Sequence, residues 1–146
     1  DVIDSTIEGF EAQVNGQLTD AWGVAVGYSY LDGELVDEFG STGRRLRELP
    51  ENTFSVWSTY QVTPRIGLGL GLTYQDDSFI NQSNTATLPS YTRVDAAVYF
   101  DVSERLSLQL NIDNLADELY FPNAHSTHQA TVGESINARL SMQWRP

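Results

Sequence analysis

The sequence predicts an all-β fold, an antiparallel up-and-down transmembrane β-barrel of which this chain supplies part of the wall. Three observations carry that prediction. Seven segments alternate bulky apolar residues with small or polar ones, short turns alternate with long polar loops, and aromatic rings collect at the segment ends. Arg65-Ile66-Gly67-Leu68-Gly69-Leu70-Gly71-Leu72-Thr73-Tyr74 shows the pattern most plainly, with large residues on one side of a strand and glycine on the other.

The segments are justified in turn by their period of two. In the first, Phe10, Ala12, Val14 and Leu18 share a face with Gly16, against Glu11, Gln13, Asn15 and Gln17. The second sets Trp22, Val24, Val26, Tyr28 and Tyr30 against Gly23, Ala25, Gly27 and Ser29. A third has Phe54, Val56 and Tyr60 opposite Thr53, Ser55 and Thr59, with Trp57 on the polar side. The glycine-alternating stretch is the fourth. The fifth opposes Val94, Ala96, Val98 and Phe100 to Arg93, Asp95, Ala97 and Tyr99. The sixth opposes Leu106, Leu108, Leu110 and Ile112 to Ser107, Gln109, Asn111 and Asp113. In the last, Ile136, Ala138, Leu140, Met142 and Trp144 face away from Asn137, Arg139, Ser141 and Gln143.

Short turns fall at Thr19 to Ala21, Val62 to Arg65 and Asp101 to Arg105. Long polar loops fall at about Asp32 to Glu51, Asp76 to Ser90 and Asp117 to Glu134. Sorting by length to the two ends is the habit of outer-membrane barrels, whose short turns are periplasmic and whose long loops are external. The apolar face then meets lipid between two aromatic girdles, Trp22, Tyr28, Tyr30, Tyr60, Tyr74, Phe100 and Trp144 among them. The other face carries the lumen-facing charged residues Glu11, Arg93, Asp95, Asp113 and Arg139, which are expected to make ion pairs and hydrogen bonds across strands or to another part of the protein that fills the lumen. A soluble sandwich or lipocalin-like barrel would turn the leucines inward and dress its outer face in Lys and Glu. Seven strands cannot close an even-numbered barrel, and an open edge in hydrocarbon leaves backbone groups unsatisfied. Further strands are therefore expected before Asp1.

Of 146 residues, 20 are acidic and 8 basic, giving a formal charge of −12; the bases are all arginine. So acidic a chain excludes a nucleic-acid partner. The absence of cysteine excludes disulfides and thiolate chemistry, and no G-x-S-x-G or comparable set suggests an enzyme. No metal site or cofactor is expected, since the two histidines of His125-Ser126-Thr127-His128 sit in a loop where a His-x-x-His pair is ordinarily solvated. Arg44-Arg45-x-Arg47 is the one basic cluster. Two roles are open to it: attracting an anionic chelate at the outer mouth, or pairing with Asp32, Glu34, Asp37, Glu38 and Glu48 or with lipopolysaccharide phosphates.

Glu51-Asn52-Thr53-Phe54-Ser55-Val56-Trp57, Tyr91-Thr92-Arg93-Val94-Asp95 and, above all, Asn114-Leu115-Ala116-Asp117-Glu118-Leu119-Tyr120 resemble the carboxy-terminal third of the TonB-dependent outer-membrane receptors. The resemblance implies that residues 1–146 are a C-terminal segment, the last seven strands of a 22-stranded barrel, with the plug domain, the TonB-contacting segment and the earlier strands outside this chain. It implies a Gram-negative outer-membrane location, lipid bilayer and lipopolysaccharide as surroundings, the TonB complex as energising partner, and import of a ferric siderophore, with haem, a vitamin or a glycan as other cargo of the same architecture. A non-transporting membrane barrel is the alternative from a different class. Tyr120-Phe121-Pro122-Asn123-Ala124-His125 followed by Gly133 is similar to receptors for ferric catecholates, which marks His125, with Arg44, Arg45 and Arg47, as ligand-binding candidates.

Overall fold

The computed structural model describes residues 4–37 and 40–146, and every regular element among them is a strand. In chain order these are β1 (Asp4–Thr19), β2 (Trp22–Asp37), β3 (Gly40–Arg45), β4 (Asn52–Thr63), β5 (Ile66–Gln75), β6 (Ser78–Phe79), β7 (Thr87–Leu88), β8 (Tyr91–Ser103), β9 (Leu106–Asp113), β10 (Asn123–Ser126), β11 (Gln129–Thr131) and β12 (Asn137–Trp144). Seven of them make an antiparallel meander in the order β1-β2-β4-β5-β8-β9-β12, as the alternation predicts. The short β3 pairs with β2, β6 with β7, and β10 with β11, all inside stretches expected to be plain loops.

The three short connections share one construction. β1–β2, β4–β5 and β8–β9 are closed by the residue pairs Asp20-Ala21, Pro64-Arg65 and Glu104-Arg105, each after a register shift that leaves one apolar residue, Leu18, Val62 or Val102, without a partner. A hydroxyl precedes each pair and accepts from a turn N–H: Thr19 from Ala21 (3.3 Å), Thr63 from Arg65 (3.2 Å), Ser103 from Arg105 (3.3 Å). Such local bonds satisfy backbone donors that the ladder cannot reach. The turn carbonyls of Ala21, Arg65 and Arg105 in turn accept the N–H groups of Gln61, Asp101 and Arg145, so neighbouring hairpins are stitched together at this end.

Even-numbered residues carry the apolar face and nothing covers it. Leu68 is 45% exposed, Val14 69% and Leu140 68%, in a sheet one layer thick. A contiguous apolar sheet face of this kind needs a non-aqueous partner. Tyr30 and Trp22 bracket the apolar run of β2 and lie eight residues apart, about 26 Å along the strand and on the scale of the apolar band of a membrane barrel. Towards the short turns Trp22 lies opposite Tyr60, Ile66 opposite Phe100 and Leu106 opposite Trp144, which sets one aromatic row at one level. At the other level Phe10 packs on Tyr28 with ring centroids 5.5 Å apart.

The glycines of β5 have a specific occupant. Trp57 on β4 lies directly opposite Gly71, and its indole covers Gly69 and Gly71 so closely that a Cβ would meet ring carbons at 2.7 and 2.5 Å. The alternation of leucine with glycine thus serves two needs: leucine for lipid, and a flat bed for one aromatic plate on the polar face.

The expected loop boundary after Tyr30 is corrected: β2 runs on to Asp37, paired with Asp4–Gly9 of β1. Beyond Tyr30 the odd-numbered side stays the buried one but becomes the apolar one: Gly33 and Leu35 are buried, with Leu46 and Leu49 packed over Gly33. Outside lipid, apolar groups again turn away from water, so a pattern tuned to the bilayer face reads as irregular there.

This geometry predicts an asymmetry. In the whole barrel, Leu70→Arg on the apolar face should cost about 2–4 kcal/mol of unfolding free energy in vesicles, whereas Gln109→Arg on the polar face should cost less than about 1 kcal/mol. Urea titration of the two variants checks it.

Candidate functional site: the loops above the polar face

The chemistry-bearing residues lie on the odd-numbered face and in the long loops that fold over its outer end. Arg93 on β8 pairs with Asp95 two positions on, at 3.0 Å. Its guanidinium also donates to the Tyr120 hydroxyl (3.2 Å). Tyr120 is buried, stacks on Tyr91 at 4.7 Å between centroids, and lies against Gly133 with no room for a side chain there. Arg139 pairs across strands with Asp113 at 3.5 Å. Glu11 is exposed and, with Gln13, Trp57 and Asp95, lines a trough of about 700 Å³ along the wall. Four of the five charges expected on this face are therefore joined in two ion pairs.

Asn114 shows why the segment Asn114 to Tyr120 has the residues it has. It is 1% exposed and sits at φ +54°, a left-handed conformation that Asn tolerates better than most side chains. Its backbone N–H donates to Asp95 Oδ1 (2.9 Å). Its side-chain amide donates to the carbonyls of Glu118 (2.8 Å) and Glu134 (3.0 Å), and its Oδ1 accepts the Glu118 N–H (2.9 Å). Asp117, also left-handed at φ +50°, accepts the N–H of Ile136 (2.9 Å). One residue thus ties β8, the third loop and the approach to β12 together, and a buried amide so fully satisfied stabilises the junction.

The three long loops converge. The Asn84 side chain accepts the N–H of Arg45 (2.7 Å) and donates to its carbonyl (2.9 Å). Glu48 donates its N–H to Phe79 O (2.7 Å), and its carboxylate accepts the N–H of Ala124 (3.1 Å). Beneath them Ile80, Leu88 and Ala124 are buried together, flanked by Ala86 and Phe121.

The ligand-binding candidates separate. Arg45 is held by Glu51 at 3.2 Å, an acid outside the group expected to pair with it; Glu38 of that group lies outside the described residues. Arg44 is exposed. Arg47 and His125 come together and line one hollow of about 520 Å³ with Glu48, Asn123, Gln129 and Thr131. Among the described residues no aromatic ring lines it. His128 is bonded within its hairpin to the Ser126 hydroxyl. Asn114, Glu48, Asn84, Asn123, Gln129 and Thr131 were missed from sequence as site residues; the signal available was Asn or Asp at turn positions, which marks Asn84, Asn114 and Asp117.

At the outer edge of the apolar face Asp76 accepts from the Tyr74 hydroxyl and from both the side chain and backbone of Asn52. It lies just past β5, and these donors, Tyr74 foremost, hold its carboxyl below the usual carboxylate range against the opposing effect of burial.

The family model described as TonB dependent receptor-like, beta-barrel matches residues 2–115. The probable TonB-dependent siderophore receptor PiuA of Acinetobacter baumannii is 35% identical over 97% of this chain and 21% of its own length. Its crystal structure superposes with a TM-score of 0.86, covering 98% of this chain and 22% of that one. The ferrioxamine receptor of Yersinia enterocolitica is 31% identical over 86% of the chain and 20% of the relative. The closed form of the ferric-catecholate import receptor Fiu from E. coli K12 gives a TM-score of 0.80 at 29% identity, covering 94% of this chain and 20% of that one. The chain spans about a fifth of the length of the curated relatives it matches.

Two outcomes are expected of the clasp and the rim. Asn114→Ala should remove about 2–4 kcal/mol from the unfolding free energy of the barrel, because buried partners are left unpaired; denaturant titration measures it. Since the Asp76 carboxyl is held low in the folded state, its contribution is complete above the unfolded value near 4 and is lost as pH falls through the lower folded value. The thermal midpoint should therefore drop below about pH 4, and Asp76→Asn should shrink that drop when midpoints at pH 7 and pH 3 are compared.

An uncovered apolar face, a polar face joined by ion pairs, short turns at one end and braced loops at the other make this chain a segment of the barrel wall of an outer-membrane protein of the TonB-dependent receptor family.

Proposed function

We propose that the chain is part of a receptor that imports ferric siderophores, with the plug domain and remaining strands outside residues 1–146 and the TonB complex as its energy source. The observation that supports this most is the hollow in which two loops set Arg47 and His125 side by side above the polar face. A guanidinium, an imidazole, two amides, a hydroxyl and the Glu48 carboxylate, which is engaged by the Ala124 N–H, suit the charged and hydrogen-bonding periphery of a polar iron chelate. The names of the relatives, a siderophore receptor, a ferrioxamine receptor and a ferric-catecholate receptor, favour the same cargo class. Transport of this kind makes and breaks no covalent bond. Arg44, exposed in β3 beyond the outer aromatic row, can meet the phosphates of the lipopolysaccharide leaflet.

The test is uptake of radioactive iron by iron-starved cells that either produce or lack the receptor containing this chain, supplied as ferrioxamine B or as a ferric tris-catecholate. One of the two chelates should enter only when the receptor is present. Arg47→Ala should weaken its binding about tenfold or more, the loss expected of a charge-assisted hydrogen bond, at equal receptor abundance. Equal entry of both chelates with and without the receptor contradicts the reading.

A further inference from the structure

The three loops are joined to one another, and one residue bonds to both of the other loops. The second and third loops share apolar packing, Ile80 and Leu88 from one against Ala124 and Phe121 from the other. The first and second share backbone-level bonds, Asn84 with Arg45 and Glu48 N–H with Phe79 O. The first and third are bonded through the Glu48 carboxylate, which accepts the Ala124 N–H across 76 positions of sequence. Glu48 makes it from φ +55°, a conformation unfavourable for a residue with a side chain. That cost is offset because, from this one conformation, the backbone reaches one loop and the carboxylate the other.

The position of the bond matters as much as its existence. Glu48 follows Arg47 and Ala124 precedes His125, so this contact ties together the neighbours of two residues that line the hollow. Glu48 is exposed and its carboxylate holds a neutral N–H, an arrangement that can open without burying a charge.

We propose that Glu48 is a positioning residue that couples the first long loop to the third, so that the three loops move as one cap and Arg47 and His125 reach a chelate together. The coupling stands on the loop geometry alone; its consequence for cargo rests on the transport reading given above.

Hydrogen exchange on the whole receptor, without ligand, tests the coupling. Glu48→Ala should speed exchange of the Ala124 amide about tenfold and leave that of Ile80, which bonds to Ala86 within its own loop, unchanged. Glu48→Gln, which keeps an acceptor oxygen, should restore slow exchange at Ala124. Unchanged exchange at Ala124 in Glu48→Ala overturns the proposal, as does an equal acceleration at Ile80, which would mean that the cap has simply unfolded. For cargo, binding of ferrioxamine B and of a ferric tris-catecholate should be about tenfold weaker in Glu48→Ala and near normal in Glu48→Gln, with the maximal uptake rate less affected than the half-saturating concentration. Equal binding in all three proteins removes the positioning role. If neither chelate binds the unaltered receptor, the transport reading fails, while the exchange result still decides the coupling.

Discussion

Hydrocarbon offers no hydrogen bonds, and this constraint governs the rest of the structure. A chain that crosses a bilayer as strands must pair every backbone N–H and C=O with a neighbouring strand, because each unpaired group costs several kcal/mol. The seven-strand meander answers that demand with one continuous antiparallel ladder. Its apolar face needs no second layer, since lipid takes the place that a packed sheet or helix would fill in water. The sparse buried core, whose one apolar cluster among the described residues, Ile80, Leu88 and Ala124, lies in the loops, follows directly.

With one face committed to lipid, all specificity moves to the other face and the strand ends. At the short-turn end the solution is repeated three times, hydroxyl, bulge and two-residue turn, with each turn carbonyl bonded to the next hairpin. At the long-loop end it is not repeated. Asn114 clasps the third loop to β8, Tyr120 fills the space above Gly133, and Glu48 and Asn84 bind the loops to one another. The regular end supports assembly, and the irregular end places Arg47 beside His125.

The sequence revealed the part of this that is periodic. Leu68, Leu70 and Leu140 could be assigned to the exterior, and Arg93, Asp95, Asp113 and Arg139 to the interior, because strand side chains alternate without exception within the bilayer. It hid what is non-local or has no period. The outer half of β2 reads as loop because its leucines, Leu31 and Leu35, stand at odd positions whereas the apolar residues before Tyr30 stand at even ones, and a rule that follows one phase sees the change as disorder. β3, β6, β7, β10 and β11 are short, polar and held by bonds such as Asn84 to Arg45, 39 positions apart, for which composition gives no signal. Arg45 illustrates the limit for charges: Glu51, which pairs with it at 3.2 Å, is outside the group of acids that its neighbourhood in sequence suggests. Trp57 was recognised as lying on the polar side, yet its place over two glycines of the next strand required the register.

The orientation of the sheet in its membrane is the claim on which the rest turns, and nitroxide accessibility measures it most directly. Spin labels placed one at a time at positions 66 to 72 of the whole receptor in lipid vesicles should alternate. Labels at 66, 68, 70 and 72 should collide readily with dissolved oxygen, which concentrates in hydrocarbon, and labels at 67, 69 and 71 should be shielded from it. Uniform accessibility along the stretch, or high oxygen collision at the glycine positions instead, would contradict the account.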